Sequence, residues 1–310
     1  MMGEKMVYLL FVVGLALLVG GGEVLVHSGV KLAKQLHLSP LVIGIVLMGC
    51  GTSLPELSAS LTALSATPPV PGIAFGNIIG SNISNILFIL GLSALLSPVR
   101  IERAGFRRDG LFLIMSVFLL GLTMWFGYLD TIIGIFFILF ILGYFVICYD
   151  KEPEPEDLHL TRRKEISVLI YSTLSILSIA AIVYGADLLV ASASKLARIW
   201  GVKESVVGLT LIAFGTSLPE LTVSIVAAIH KHASIAYGNI VGSNIANIFL
   251  IMGAIGLIRP TQIPPLWSSF WIMVAATIAM ILCGLAGKIP RWTGLLFLTA
   301  YAAYICFLFK

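Results

Sequence analysis

An identical heptapeptide, GTSLPEL, occurs twice in the 310-residue sequence, at residues 51–57 and again at residues 215–221. A second motif follows each copy and reads GNIIGSNISNI at residues 76–86 and GNIVGSNIANI at residues 238–248. The connection between the two motifs is two residues shorter in the second copy. Because two long matches recur in the same order, they indicate that the chain is an internal duplication.

Both motifs lie in strongly apolar surroundings. Hydrophobic residues make up 59% of the chain and charged residues only 11%, whereas soluble domains carry about 25% charged residues. A transmembrane helix needs roughly 20 mostly apolar residues. The sequence therefore predicts an all-α polytopic membrane protein with ten transmembrane helices. The predicted spans are 6–26, 41–64, 73–96, 110–126, 131–149, 166–190, 206–229, 235–258, 266–285 and 292–309.

Each copy of the duplication contains five predicted spans, which is an odd number. The second copy must therefore insert upside down relative to the first, giving two inverted five-helix repeats. We place the first repeat at residues 1–149 and the second at residues 166–310, with the duplicated motifs within about 40–98 and 204–260. The hydrophilic residues 150–165 are predicted to form the linker. A purely structural duplication is disfavoured because it would not need polar motifs at the centres of apolar spans.

The basic residues predict the orientation of the chain. Of the 19 Lys and Arg residues, 13 lie in the connections that follow odd-numbered spans. Because cytoplasmic loops are enriched in Lys and Arg, the linker should be cytoplasmic and both termini extracellular, in the cell membrane. These residues are scattered, whereas nucleic-acid binding would require a clustered basic surface. The four cysteines have no paired spacing that would suggest a metal or redox site.

The acidic residue of each heptapeptide, Glu56 or Glu220, lies in the middle of an apolar stretch. An ionised carboxylate at that depth is costly unless it is paired or hydrated, so its default interpretation is functional. The sequence places no Lys or Arg at comparable depth. A bound cation is the simplest counter-charge; the alternative is that each carboxyl is protonated and hydrogen-bonded to a neighbouring helix. Glu23 and Asp187 occupy matched positions near span ends, where an interfacial structural role is favoured over the alternative of a proton relay.

A proline precedes each of these glutamates. Because Pro55 and Pro219 have no N–H, the carbonyls of Gly51 and Gly215 lose their helical partners, and each helix should kink or break nearby. Irregular backbone at membrane depth is tolerated only where it is buried in protein or lines a cavity. Freed carbonyls and hydroxyls are hard oxygen donors that suit Ca²⁺ or Na⁺. The hydroxyl donors beside the prolines are Thr52, Ser53, Thr216 and Ser217.

The second motif supplies further oxygen donors. Ser81 and Asn85 are four residues apart, as are Ser243 and Asn247, so each pair should project from one side of a helix. Hydrogen bonding across helices is an equal alternative for the other amides of the motif, Asn77, Asn82, Asn239 and Asn244. Glycines at four-residue spacing should let helices approach closely; they are Gly76, Gly80, Gly238 and Gly242.

The two motifs resemble the alpha repeats of the cation/calcium antiporter superfamily, most closely those of prokaryotic sodium/calcium exchangers. The proton/calcium branch usually carries a Gly-Asn-x-x-Glu version of the acidic motif, so the present version favours sodium as the coupling ion. The resemblance implies a central site where the second, third, seventh and eighth spans meet. It also implies a secondary active antiporter that works by alternating access and exchanges three Na⁺ for one Ca²⁺ in an electrogenic cycle.

The resemblance also implies ligands. Glu56 and Glu220 would bind Ca²⁺ with the carbonyls of Thr52 and Thr216. The same carboxylates would share Na⁺ with further ligands, the hydroxyls of Ser53, Ser217, Ser81 and Ser243 and the carbonyls of Gly49 and Ala213. Some relatives, including potassium-dependent exchangers, carry Asp at a position that matches Asn85 or Asn247. Because both residues are Asn here, we predict that potassium is not required.

Two ionised glutamates supply a charge of −2, which one Ca²⁺ would neutralise. An empty site would leave two like charges in a low-dielectric setting, which favours obligatory exchange. A proton/calcium antiporter remains an alternative because paired buried carboxyls can titrate, and a cation channel is a further one. An enzyme is disfavoured because no His lies at depth. We expect no cofactor, Ca²⁺ and Na⁺ as transported ions, the lipid bilayer as surroundings, and function as a monomer.

Overall fold

The computed structural model describes residues 2–101, 103–150, 162–200 and 215–308, and nearly all of them are helical. The helices are α1 (Met2–Leu36), α2 (Pro40–Ile43), α3 (Cys50–Thr52), α4 (Leu54–Ser65), α5 (Pro71–Ile83), α6 (Gly91–Leu96), α7 (Arg103–Phe126), α8 (Thr131–Asp150), α9 (Arg162–Ile199), α10 (Leu218–Ile229), α11 (Ala233–Ile258), α12 (Trp267–Leu285) and α13 (Arg291–Leu308). Two wider π-helical segments, Gly44–Gly49 and Ser84–Leu90, continue α2 into α3 and α5 into α6.

Nine helical segments in the described part of the chain are long and apolar enough to cross a membrane, and they match every predicted span except the seventh. The predicted seventh span, 206–229, lies partly outside the described residues, and α10 is its described remainder. Most of the predicted linker, 150–165, also lies outside them. The first and sixth spans are longer than predicted because α1 and α9 continue through basic residues near their ends, Lys34 and Arg198.

Four short strands join the two repeats: β1 (Val99–Arg100), β2 (Tyr128–Leu129), β3 (Thr261–Gln262) and β4 (Lys288–Ile289). β1 pairs antiparallel with β4, and β2 pairs antiparallel with β3. Gly127 and Gly287 turn the chain after α7 and α12 with φ angles of +73° and +76°, in the left-handed region that favours glycine. We call the two ends of the molecule the β1–β4 side and the β2–β3 side.

The strand pairing fixes the number of membrane crossings. Paired connections lie on the same side, so an even number of crossings must separate β1 from β4. The long apolar helices between them are α7, α8, α9, α11 and α12. These make five, so the segment that contains α10 must supply a sixth crossing. The chain therefore forms ten transmembrane helices arranged as two inverted five-helix repeats, as predicted.

The centre of the molecule consists of the two helices that carry the second motif. The most apolar part of the span Pro71–Leu96 is 78% buried within the protein, and that of Ala233–Ile258 is 83% buried. The corresponding values for α1 and α9 are 33% and 17%. These two long helices cross each other closely, since a Cβ added at Gly14 would lie 2.9 Å from the carbonyl oxygen of Gly185. The fold thus has a buried core and a peripheral pair, α1 and α9.

Candidate cation-binding site

The helices that carry the heptapeptide break one residue before its Leu-Pro step. Ser53 has φ −82° and ψ +4°, and Ser217 has φ −88° and ψ +4°. The helix then restarts with proline in its first turn, where the missing N–H costs nothing. Glu56 and Glu220 therefore lie in the first turns of α4 and α10, where the helix dipole favours negative charge. The break predicted from Pro55 and Pro219 is present in both repeats.

Each glutamate accepts a hydrogen bond from a serine of the opposite repeat. Ser53 Oγ donates to Oε1 of Glu220 at 3.2 Å, and Ser217 Oγ donates to Oε1 of Glu56 at 3.3 Å. Both carboxylates are fully buried. The serine that precedes one glutamate by three residues therefore binds the other glutamate. This exchange brings the two halves of the duplication together at one central site.

An asparagine from the second motif holds each glutamate backbone. Asn77 Nδ2 donates to the carbonyl oxygen of Glu56 at 3.0 Å and to Ser60 Oγ at 3.1 Å. In the second repeat, Asn239 Nδ2 donates to the carbonyl oxygen of Glu220 at 3.2 Å and to Ser224 Oγ at 2.9 Å. The side-chain oxygens of the two asparagines accept from threonines of the opposite repeats, Thr216 at 3.5 Å and Thr52 at 3.4 Å.

These two asparagines therefore tie helices together and align the site. The sequence left their role open between ion binding and contact between helices. The hydrogen bonds of Asn77 and Asn239 are contacts between helices. Their partners Ser60 and Ser224 were not singled out from the sequence. Ser60 lies four residues after Glu56, and Ser224 lies four residues after Glu220. The identical spacing in both repeats is the signal that could have identified them.

Several buried polar side-chain atoms of the two motifs have no hydrogen-bond partner among the described residues. Among them are Oε2 of Glu56, Oε2 of Glu220, and the Oδ1 and Nδ2 atoms of Asn85 and Asn247. Buried polar groups without partners are rare in folded proteins and need a physical reason. Here they form two matched pairs, Glu56 with Glu220 and Asn85 with Asn247, and each pair has one member in each repeat. A bound cation would satisfy the oxygens, and the donor set of carboxylates and amides is chemically suited to a hard ion.

Gly49 contributes a carbonyl at the same place. Its oxygen accepts from Ser243 Oγ at 3.1 Å, and it lies 2.9 Å from Ser53 Oγ as the alternative acceptor to Glu220 for the single proton of that hydroxyl. The matched residue, Ala213, lies outside the described residues. Thr52 Oγ1 donates to the carbonyl of Met48 at 3.0 Å, so its hydroxyl is used within its own repeat as well as at Asn239.

The site contains no basic counter-ion within the described part of the chain. The ion pairs described there are Arg108 with Asp109 at 2.8 Å and His230 with Glu23 at 2.7 Å, and neither involves Glu56 or Glu220. Glu23 is half-exposed, and its contact with His230 joins α1 to the end of α10.

One buried ion pair was not predicted. The sequence places the fourth span at 110–126, but α7 begins at Arg103 and buries Arg108 and Asp109. The Oδ1 atom of Asp109 accepts from Arg108 Nε at 2.8 Å and from the Tyr144 hydroxyl at 3.0 Å. A basic residue is therefore buried in the protein, although it does not reach the two glutamates.

Ser81 and Ser217 border a cavity of about 450 Å³ between α5 and α13. Other residues of the two motifs at this cavity are Gly76, Asn77, Gly80 and Thr216. The structure thus brings Ser53, Ser217 and Gly49 to the two carboxylates, with Ser243 hydrogen-bonded to Gly49, and places Ser81 at this cavity. Asn85 and Asn247 are buried, and no hydrogen bond joins them to either carboxylate among the described residues.

Comparison with known proteins agrees with this arrangement. The family model for the sodium/calcium exchanger protein matches residues 6–149 and 170–310. The sodium/calcium exchanger MaX1 of Methanosarcina acetivorans is 33% identical, over 97% of this chain and 98% of the relative. The inner membrane protein YrbG of Escherichia coli is also 33% identical, over 97% of this chain and 96% of the relative. A solved structure of the sodium-calcium exchanger NCX_Mj superposes with a TM-score of 0.86 at 31% identity, covering 98% of each chain.

Proposed function

This chain belongs to the sodium/calcium exchanger family, and we propose that it exchanges Na⁺ for Ca²⁺ across the membrane by alternating access. Members of the family are transporters rather than enzymes, and the two ions are substrates rather than cofactors. One observation supports the proposal most strongly. Two buried carboxylates from inverted repeats meet at one place, and each keeps an oxygen without a protein partner among the described residues.

Calcium binds between the two repeats in this proposal. Glu56 and Glu220 supply the charge, and the carbonyls of Thr52 and Thr216 supply neutral oxygens. Sodium uses the same carboxylates together with the remaining ligands, the hydroxyls of Ser53, Ser217, Ser81 and Ser243 and the carbonyls of Gly49 and Ala213. Asn85 and Asn247 contribute neutral amide groups in this proposal. Shared carboxylates make the two ions compete.

The electrostatics favour obligatory exchange. Since no basic residue contacts either glutamate in the described part of the chain, an unoccupied site would carry uncompensated negative charge in a low-dielectric interior. Removing one partner from a buried charged pair is strongly destabilising. The empty transporter therefore does not reorient, and a cation must bind before the site can turn to the opposite side of the membrane.

The finer features follow from charge and composition. Three Na⁺ carry one more charge than one Ca²⁺, so a three-for-one cycle is electrogenic. Neutral Asn85 and Asn247 provide no extra carboxylate for potassium, so the cycle is potassium-independent. All the proposed ligands belong to one chain, which supports function as a monomer.

With the β1–β4 side cytoplasmic, as the basic residues predict, both termini are extracellular. The pair α1 and α9, which packs chiefly on itself, slides along the core as access alternates.

Proton/calcium exchange is the second candidate. Glu56 and Glu220 each have an uncommitted buried oxygen that could carry a proton. A cation channel receives less support, because two inverted repeats that share one central site are typical of alternating-access transporters.

Competition binding tests the proposal. We expect purified protein in choline buffer to bind ⁴⁵Ca²⁺, and Na⁺ to displace it with a Hill coefficient above about 2, since several sodium ions replace one calcium. Potassium at the same concentration should leave the bound calcium unchanged. Equal displacement by K⁺ would contradict potassium independence. Displacement by lowering the pH alone, with Na⁺ ineffective, would favour the proton candidate.

A further inference from the structure

A stripe of ionisable side chains runs along one face of α1. Glu23, His27, Lys31 and Lys34 follow one another at spacings of four, four and three residues, which place them on one side of a helix. Glu23, His27 and Lys34 reach the surface, and Lys31 is half-buried. Two membrane crossings, 40–65 and 71–96, separate the end of α1 from β1, so the stripe ends on the β1–β4 side.

The turn between α10 and α11 lies beside this stripe. It carries three further ionisable residues, His230, Lys231 and His232. The Nε2 atom of His230 lies 2.7 Å from Oε2 of Glu23, so the turn contacts α1 directly. One crossing, α11, separates the turn from β3, which places the turn on the β1–β4 side as well.

Positive charges converge where the turn meets α1. Burial lowers the pKa of His232. The neighbouring cations, His230, Lys34 and His27, lower that pKa further, because each disfavours a second positive charge close by. Glu23 pairs with His230, and no acid among the described residues forms an ion pair with the lysines of the stripe or the turn. An anion would relieve this excess of positive charge.

Lys231 has a backbone conformation that is unusual for lysine. Its φ is +60°, in the left-handed region. Its N–H donates to the carbonyl of Ala228 at 3.1 Å, and the N–H of His232 donates to the carbonyl of Ala227 at 2.8 Å. These two bonds form a Schellman motif, whose left-handed position is usually glycine. A lysine kept there in spite of the strain points to a use for its side chain.

The other repeat lacks the basic turn. Lys195 and Arg198 of α9 match Lys31 and Lys34, so the lysine positions of the stripe are basic in both repeats. The connection that matches the turn, residues 66–70, reads ATPPV and contains no ionisable residue. The combination of a basic helix end and a basic turn therefore belongs to the β1–β4 side alone.

Exposed apolar side chains adjoin these cations. Ile229, directly before His230, is 61% exposed, and Leu36, two residues after Lys34, is 42% exposed. A ligand that has both a phosphate group and hydrocarbon chains would use the two kinds of surface together. A free phosphate ion would use only the cations.

We propose that Lys34, Lys231 and His232 bind the phosphate group of an anionic phospholipid in the leaflet on the β1–β4 side. Its hydrocarbon chains lie against Ile229 and Leu36. Because Lys34 belongs to α1 and the other two cations belong to the turn after α10, the lipid joins the peripheral helix to the core. Anionic lipids are concentrated in the cytoplasmic leaflet, which agrees with the orientation that the basic residues predict. Binding of this lipid does not depend on which ions are exchanged.

Native mass spectrometry of the purified full chain tests this assignment. The protein in detergent is titrated with phosphatidylglycerol or with phosphatidylcholine of the same chain length, and the lipid-bound fraction gives a dissociation constant. The phosphatidylglycerol titration is repeated in the presence of inorganic phosphate. K34Q and K231Q are the test variants. K288Q is the matched control, because Lys288 is an exposed lysine of β4 on the same side.

We expect phosphatidylglycerol to bind at least about tenfold more tightly than phosphatidylcholine, since two lysines and an imidazole face its phosphate. K34Q and K231Q should each weaken its binding about fivefold, the effect of one lysine near an anionic lipid. K288Q should stay within about twofold of the unmodified protein, and K231R should keep the affinity. Inorganic phosphate at the concentration of the lipid should leave lipid binding unchanged.

Four results would overturn the assignment. Equal binding of the two lipids would show that the phosphate charge is not recognised. Equal weakening by K288Q would show attraction to the whole basic side rather than to this cluster. Displacement of the lipid by inorganic phosphate would show a site for a free anion. Unchanged lipid binding in both K34Q and K231Q would assign these lysines to the helix ends alone, where a cation complements the helix dipole.

Discussion

Replacement of Glu56 or Glu220 by Gln is expected to abolish sodium-driven calcium uptake into proteoliposomes. Glutamine keeps the size of the side chain and an oxygen for the serine of the opposite repeat, so the hydrogen bonds at 3.2 Å and 3.3 Å can persist. What is lost is one of the two buried charges. An uncompensated buried charge costs about 3–5 kcal/mol, which corresponds to at least about a hundredfold in affinity.

Glu23→Gln is the matched control for this experiment. Glu23 is half-exposed and pairs with His230 away from the two central glutamates, and a surface pair of this kind contributes about 1 kcal/mol or less. Calcium uptake by this variant should remain within about fivefold of that of the unmodified protein, since 1.4 kcal/mol is a factor of ten. Uptake by Glu56→Gln or Glu220→Gln at the level of Glu23→Gln would contradict the role given to the central carboxylates.

Gly242→Ala is expected to lower the stability of the protein strongly. The new methyl group would overlap the carbonyl oxygen of Ile45, and backbone atoms have less freedom to move aside than the end of a side chain. Overpacking a close contact costs about 1–3 kcal/mol, and a collision with backbone belongs at the upper end. The variant should unfold several degrees lower than the unmodified protein when thermal unfolding is followed in detergent.

Gly80→Ala provides the matched control from the other repeat. Among the described residues, which exclude 201–214, an added Cβ at Gly80 meets nothing within 4 Å, although the residue occupies the equivalent position in the second motif. Its free energy of unfolding should change by less than about 0.5 kcal/mol in the unfavourable direction. Equal destabilisation by the two substitutions would show that helix composition, rather than the close approach of residues 40–49 to α11, determines the effect.

Much of the fold could be predicted from the sequence because two independent signals agree. The repeated motifs give the duplication, and the apolar runs give five spans in each copy. The ends of the helices were harder to predict. α1 and α9 continue past their apolar cores through Lys34 and Arg198, because charged residues interrupt an apolar pattern without interrupting a helix. The strand pairs between the repeats depend on tertiary contacts that no local pattern records.

The candidate site could likewise be predicted only in part from the sequence. Glu56 and Glu220 could be singled out because an acidic residue in an apolar span is unusual. The bonds of Ser53 to Glu220 and Ser217 to Glu56 depend on how the inverted repeats meet, so the sequence alone could not assign the partners. Asp109 was missed because its position beside basic residues resembles a solvated connection, whereas α7 has already begun there.

The flux coupling of the unmodified protein in liposomes tests the central proposal most directly. Calcium uptake should require an outward sodium gradient and should persist when the pH gradient is collapsed. Uptake should also accelerate when the interior is made electrically positive and slow when it is made negative, because three Na⁺ leaving for one entering Ca²⁺ carry one net positive charge outward. Uptake driven equally well by a proton gradient without sodium would contradict the account.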